Sequence, residues 1–471
     1  MTLTRRSLLA GAVAAGKPGD AAKSKKTNVV MIMTDDHGAW TLGAYGNKDA
    51  YTPNLDRLAK EGARFDRAYA CTPVCSPSRM SYMTGKIPSQ HGVQDYLLPE
   101  DSFGPKTIRF LDGHTTYAEL LAKNGYKLGM CGKWHMGDDD KAQRGFTWWH
   151  TVPGGGGTYR DPEFVTNGAR RKLTGYKTDL VTDGALEFLD QAGSDPFYLL
   201  IPFYAPHTPY DYQPEAYRKP HLNSKFSSYP RDPMHPWQNP GLARNHLNRE
   251  SMLAYAALIS GVDANVGRIL KKLEDLSLRD NTLVVFTADQ GWNAGQHGVW
   301  GKGNGTWPFN MYEESIRVPM IWNHPGKIRG GQALTPMVSS YDYMPTLFDY
   351  LGLPPHKDSK LPGHSYAGFL RGKSPKWRNR LYFEYSYVRG LRTETLKYIE
   401  RTKEFPSELF DLEADPGEKR NVIGEPGYRK VVAGLRAELD GFFQSGGAPP
   451  IEQWRSTTRQ KLNVYKAGPR N

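Results

Sequence analysis

The chain has 471 residues, 38% of them hydrophobic and 12% aromatic, with 49 Gly and 34 Pro. This composition excludes fibrous and disordered classes, and no run approaches the roughly 18 consecutive apolar residues of a membrane span. Of the net charge of +12, +5 sits in residues 1–26 and +5 in residues 453–471, so a near-neutral body without a nucleic-acid motif speaks against nucleic acid as partner.

The N-terminus, Thr4-Arg5-Arg6-Ser7 followed by a short apolar run to Gly16, resembles a Tat export signal, with residues 1–26 as signal and linker. That route carries folded cargo to the periplasm or outside the cell. The three cysteines, Cys71, Cys75 and Cys131, allow at most one disulfide.

Asn28–Met33 (NVVMIM) predicts a buried strand running into Asp35-Asp36-His37. Pro53 opens a helix over Asn54–Glu61, and Gly62 stops it. Ser76 and Pro77 predict the first turn of a helix that begins at Cys75 and ends at Gly85. Thr116–Lys123 and Leu180–Gln191 read as helices, and Phe197–Pro202 as a strand. Gly154–Gly157 reads as a flexible loop; no Gly-Lys-Ser/Thr follows, so it is not a phosphate loop. A long helix spans Ser251–Leu276, with Val262, Val266, Ile269 and Leu273 at helical spacing. Thr282–Thr287 (TLVVFT) predicts a second buried strand, running into Asp289-Gln290.

Strands alternating with helices predict an α/β domain over 27–375. After Lys373-Ser374-Pro375, strands are expected at Arg380–Tyr387, Leu396–Arg401 and Glu408–Leu412, and a helix at Lys430–Phe443. Residues 376–452 thus read as a small antiparallel sheet with a helix on it, and 453–471 as a basic tail.

Both pairs, Asp35-Asp36 and Asp289-Gln290, lie just past strand ends, where open α/β sheets bind ligands. Asp35, Asp36, Asp289 and Gln290 offer hard oxygen donors, which suit Ca²⁺ or Mg²⁺ better than zinc. Cationic and donor side chains stand in Gly- and Pro-rich loops: Lys133 and His135, His207, and His297 with Lys302. Such groups can approach an anion closely. Trp148, Tyr159-Arg160, Tyr210, Trp300 and Trp307 fall in segments expected to rim a pocket. Their rings could stack on sugar or aryl rings, and Arg160 could pair with a uronate or a second sulfate.

Cys75-x-Pro77-x-Arg79 resembles the signature of the type I sulfatases. Thr52-Pro-Asn-Leu-Asp56, Gly132-Lys-Trp-His-Met-Gly137, Tyr312-Glu-Glu-Ser-Ile-Arg-Val-Pro319 and Glu408–Lys419 resemble further landmarks of that family, in order. The resemblance implies an alkaline-phosphatase-like α/β sandwich: a large mixed sheet flanked by helices, with a smaller C-terminal antiparallel sheet. It implies that Cys75 is oxidised to formylglycine by a formylglycine-generating enzyme, and that the aldehyde hydrate attacks sulfur. Ca²⁺ would be held by Asp35, Asp36, Asp289, Gln290 and the modified Cys75. Gln290 stands where the family more often has Asn or His. Arg79 would hold the formylglycine, Lys133 would neutralise it and His135 would hydrogen-bond its hydroxyl. His207 and Lys302 would grip the sulfate, with His297, Trp148, Arg160 and Trp300 as further substrate contacts. A sulfated carbohydrate is the expected substrate. The alternatives are a small aryl or choline sulfate ester, a phosphonate or phosphate monoester, and an inactive sugar-binding homologue.

Overall fold

Alternate residues of the strand Asn28–Thr34 feed two different cores. Val29, Met31 and Met33 face one, while Val30 and Ile32 face the other. A strand buried on both sides belongs in the middle of a covered sheet, which is why its sequence is apolar at every position from Val29 to Met33. A computed structural model of the chain describes residues 26–105 and 107–453. The export-signal motif and the basic tail beyond residue 453 lie outside the described residues.

The central sheet has ten strands. From one edge to the other they are Gln332–Leu334, Ala63–Phe65, Met320–Asn323, Thr282–Ala288, Asn28–Thr34, Phe197–Pro202, Lys127–Lys133, Phe146–Val152, Glu163–Thr166 and Ala169–Lys172. The middle five are parallel to one another. Met320–Asn323 and Glu163–Thr166 run antiparallel to their inner neighbours, so the sheet is mixed. Helices Cys75–Thr84, Tyr117–Lys123 and Tyr343–Tyr350 cover one face, and helices Pro53–Lys60, Lys177–Gln191 and Arg249–Asp275 the other. Arg249–Asp275 is long and apolar enough to cross a membrane by length and composition. Here its apolar surface is spent inside the fold, with Val262, Val266 and Ile269 fully buried.

The C-terminal sheet has four antiparallel strands, Leu381–Tyr385, Val388–Arg392, Leu396–Arg401 and Glu408–Asp411. Helix Arg429–Ser445 packs on it through Leu435, Leu439 and Phe443. The sequence reading ran the first strand on to Tyr387 and missed Val388–Arg392. The chain instead turns at Ser386, where φ is 54°. Two arginines hid the second strand. Both are buried because each finds a carboxylate: Arg389 pairs with Glu384 at 3.3 Å and Arg392 with Glu313 at 3.2 Å. The three cysteines are free and buried.

Candidate active site

Register brings the carboxylates together. Thr34 pairs with Ala288 across the two middle strands, so Asp35 and Asp289 emerge side by side at the same end. Lys133 ends its own strand at that edge, and His207 follows the strand Phe197–Pro202. This is the carboxyl end of the parallel strands, the place where an α/β sheet opens to a ligand.

The helix Cys75–Thr84 points its N-terminus at the same spot, and its signature residues explain how it is held. Ser76 Oγ accepts the Leu97 N–H at 3.1 Å, and Ser78 donates its hydroxyl to the Asp289 carbonyl. Arg79 donates Nε to Asp289 Oδ2 at 2.8 Å, its Nη2 lies 3.5 Å from Asp35, and Nη1 donates to the Lys133 carbonyl. Arg79 therefore clamps two carboxylates and a strand end rather than pointing its donors at Cys75.

Cys75, Asp36, Lys133, His135, His207 and Lys302 line one cavity of about 460 Å³. Asp35, Arg79, Asp289 and Gln290 lie outside its lining, fully buried among these groups. Lys302 Nζ lies 2.7 Å from Asp36 Oδ1, and Lys133 Nζ pairs with Asp35 Oδ2. Burial opposes the charge on Asp35, but Lys133, His207, Lys302 and Arg79 overcome it and hold its carboxyl well below the usual range. Asp289 goes the other way: burial and the Asp35 charge push it up to about 7, against Arg79. Burial also pushes the Cys75 thiol up in spite of Lys133 and Lys302, which keeps it a poor thiolate nucleophile.

These residues fit a hard divalent cation. Asp36 Oδ2 and Gln290 Oε1 are buried with no hydrogen-bond partner. Gln290 Nε2 lies 2.8 Å from Asp35 Oδ1 and 2.7 Å from Asp36 Oδ1. Turning the amide over exchanges its oxygen and nitrogen and sets three oxygens together, the donors Ca²⁺ or Mg²⁺ takes. A divalent cation there also relieves the repulsion between Asp35 and Asp289. Asp36 adopts the left-handed conformation, φ 62°, a strain of the kind that gathers at functional sites.

The histidines have defined roles in the hydrogen-bond network. His135 Nε2 lies 3.0 Å from the Leu97 carbonyl and must donate to it, which leaves the buried Nδ1 without a partner and free to accept. Burial and Lys133 keep this ring neutral by lowering its pKa well below the usual value. His207 Nδ1 donates to the Thr208 carbonyl, and Nε2 stands 3.7 Å from Asp36 Oδ2.

Residues 27–353 match the family described as Sulfatase, and residues 295–444 the one described as N-sulphoglucosamine sulphohydrolase, C-terminal. This chain belongs to the sulfatase family. It is a sulfuric ester hydrolase by that membership. It is 30% identical to an N-acetylglucosamine-6-O-sulfatase of Bacteroides thetaiotaomicron, over 89% of this chain and 86% of the relative. It is also 30% identical to human arylsulfatase A, over 89% of this chain and 87% of that one. Among solved structures it is similar to BT4656 in complex with its substrate D-glucosamine-2-N,6-O-disulfate. There the TM-score is 0.77 at 26% identity, covering 90% of this chain and 98% of the other.

Four expected substrate contacts lie elsewhere in this sulfatase. Trp148 and Trp300 are core residues, Trp148 in a sheet strand and Trp300 between Tyr255, Tyr210 and Trp292. Rings of that size are buried because the sheet face needs them. Arg160 is exposed outside the cavity lining, with its guanidinium over the Tyr212 ring. His297 Nε2 bonds Glu314 at 2.9 Å, and the ring stacks on Tyr312, in a polar cluster joining this loop to the C-terminal sheet.

The sequence reading missed other wall residues. Tyr96 and Leu97 reach the cavity because the C-terminal sheet holds the segment before them: Tyr385 donates to Asp95 at 2.5 Å, and Ser386 N–H to Gln94 Oε1 at 3.2 Å. Tyr204 carries Lys133 at 5.3 Å and Lys177 at 4.0 Å from its ring. The four-glycine loop is a built wall. Lys177 Nζ donates to the Gly156 and Gly157 carbonyls at 2.9 and 2.8 Å, and Gly154–Gly156 line the cavity. At Gly155, φ is 65° and a Cβ would come within 2.3 Å of the His135 ring. Gly155→Ala is therefore expected to push His135 off its Leu97 bond and cut kcat by about 100-fold, the scale of a lost proton-handling group. A kcat within twofold of wild type would show that His135 is dispensable.

Proposed function

We propose that this sulfatase cleaves a sulfate ester on a carbohydrate, using Cys75 matured to formylglycine and Ca²⁺ or Mg²⁺ held by Asp35, Asp36, Asp289 and Gln290. The observation that carries this reading is the position of Cys75. It stands at a helix N-terminus in a cavity whose inner polar walls include Asp36, Lys133, His135, His207 and Lys302. When present, the two groups supply an oxygen nucleophile and a positive charge for the sulfate oxygens. The rest falls to the side chains. Lys133 and Lys302 offer N–H donors to nonbridging oxygens, where charge builds as the S–O bond breaks. The bare Nδ1 of His135 accepts from a hydroxyl beside position 75. His207 Nε2, partly open to the cavity, can deliver a proton to the departing alcohol oxygen only from the imidazolium, since Nδ1–H is committed to Thr208 and burial lowers the pKa of the ring. Asp35 and Arg79 act beneath them, fixing Lys133 and Asp289.

Carbohydrate is favoured because relatives of the chain are named N-acetylglucosamine-6-O-sulfatase and N-acetylgalactosamine-6-sulfatase, and because the outer cavity wall is polar but uncharged. Tyr96, Thr208, Asn239 and Asn304 are suited to hydroxyls, and Leu242 and Trp292 to a ring face. Thr4-Arg5-Arg6-Ser7 supports export after maturation in the cytoplasm.

Sulfate release from a panel of sulfated mono- and oligosaccharides, run beside nitrophenyl sulfate and a phenyl phosphonate, tests the substrate. Glucosamine 6-sulfates are expected to be turned over; turnover of the aryl ester or the phosphonate alone would overturn the carbohydrate reading. Chelation is expected to cut kcat/KM at least about 100-fold, since the cation contributes several kcal/mol at the transition state. Ca²⁺ should restore it. An enzyme indifferent to both would remove the cation from the proposal.

A further inference from the structure

The catalytic cavity opens into a second one. A groove of about 660 Å³ shares Thr208, Gly241 and Leu242 with it. The shared wall is the helical turn Pro240–Ala243. Asn239 fixes that turn: its side chain accepts the Gly241 N–H at 2.9 Å, and its own N–H donates to the Gly305 carbonyl at 2.8 Å. Gly305 N–H in turn donates to the Lys302 carbonyl at 2.8 Å. One rigid wall thus has the sulfate-side lysine's loop at one end and Arg244 at the other.

We propose that this groove is a second sugar subsite, in which Arg244 pairs with an anionic substituent on the unit linked to the sulfated sugar. The proposal rests on the carbohydrate-sulfatase reading above. Each cavity has the volume of a site for one small-molecule unit, about 300–1,000 Å³. A sugar linked to a sulfated unit in the inner cavity can reach the groove across Thr208, Gly241 or Leu242.

The groove's lining holds one cation, Arg244, and two carboxylates, Asp211 and Glu250. Its two carboxylates are already engaged. Glu250 pairs with Arg218 at 2.7 Å, while Asp211 accepts from the Thr158 hydroxyl at 2.6 Å and the Tyr159 N–H at 3.3 Å. Arg244 is exposed and makes no ion pair among the described residues. Asn245 and Asn248 beside it fix the start of the helix Arg249–Asp275: Ser251 donates its hydroxyl to Asn245 Oδ1 at 2.9 Å and its N–H to Asn248 Oδ1 at 3.1 Å. By contrast, the outer wall of the inner cavity offers no arginine. The second anion therefore belongs on the neighbouring sugar, not on the sulfated one. A uronate carboxylate and a second sulfate present the same planar or forked oxygens to a guanidinium.

The test compares kcat/KM for four probes: the sulfated monosaccharide, and three disaccharides in which its neighbour is neutral, a uronate or a second sulfated sugar. Wild type, Arg244→Gln and Arg244→Lys are measured on each. The expected result is that an anionic neighbour raises kcat/KM about threefold to fivefold over the neutral one, the size of an exposed ion pair. That gain should vanish in Arg244→Gln, return in part in Arg244→Lys, and appear mainly in KM. The monosaccharide rate should not change. Whichever anionic disaccharide shows the gain identifies carboxylate or sulfate as the partner. A flat series, or an Arg244→Gln loss equal on all four probes, overturns the subsite while leaving the sulfatase reading intact. No turnover of any sugar sulfate overturns the carbohydrate reading, and the subsite falls with it.

Discussion

Cys75→Ala is expected to abolish sulfate ester hydrolysis, by at least about 10⁴-fold in kcat, while leaving a folded protein. The loss is large because a covalent nucleophile has no substitute among its neighbours. Lys133 and Lys302 are cations held by Asp35 and Asp36, and His135 has one nitrogen committed to Leu97. The fold should survive because the side chain is small. It is buried beside Val74 and Ile87, and removing a group of that size costs about 1 kcal/mol. Cys131→Ala is the control. Cys131 is equally buried but lies in the sheet core, so it should lose similar stability and keep its activity. The wild-type peptide containing position 75 should carry an aldehyde in place of the thiol. A fully thiol-bearing protein that still turns over sulfate esters would refute the proposed nucleophile.

What the sequence disclosed about this site follows from where each residue sits along the chain. Asp35, Asp36, Asp289 and Gln290 could be placed because each pair directly follows a buried apolar strand, and parallel strands bring their ends to one edge. The helix from Cys75 to Gly85 could be placed from its proline and glycine. Tyr204, Tyr96 and the glycine loop could not. Tyr96 depends on Tyr385 and Ser386, nearly three hundred residues on, and no local pattern encodes that contact. Gly154–Gly157 looked flexible because glycine usually signals freedom. Here glycine allows close approach to His135, and the ordering comes from Lys177. The tryptophans misled in the opposite sense. A large ring near a motif looks like a ligand contact, but Trp148 and Trp300 have the surroundings of core residues, and burial is the commoner fate of a large ring.

Asp36→Asn should separate charge from geometry. Asn is close to Asp in shape and also tolerates the left-handed backbone at φ 62°, so the strained turn before His37 should persist. The Tyr255 hydroxyl should still hold the residue-36 carbonyl, which it reaches at 2.7 Å. What disappears is one negative charge. Lys302 loses the carboxylate 2.7 Å from its Nζ, and the proposed cation loses an anionic ligand. In the wild type three carboxylates, Asp35, Asp36 and Asp289, face the three cations Arg79, Lys133 and Lys302, so a divalent ion leaves the site net positive, which favours the sulfate ester and the dianion it releases. With two carboxylates the site repels the cation more strongly. Ca²⁺ affinity, read by calorimetry, should fall by about 10- to 100-fold, and kcat by about 10²–10³-fold, the loss seen when one charge-stabilising group is removed. Raising Ca²⁺ should recover part of kcat/KM but not all of it, because Lys302 keeps only the more distant Asp35 carboxylate, at 3.8 Å. If the variant binds Ca²⁺ as tightly as wild type but has lost its activity, Asp36 serves Lys302 and His207 instead of the cation. If both binding and activity are unchanged, Asp36 has no part in the site.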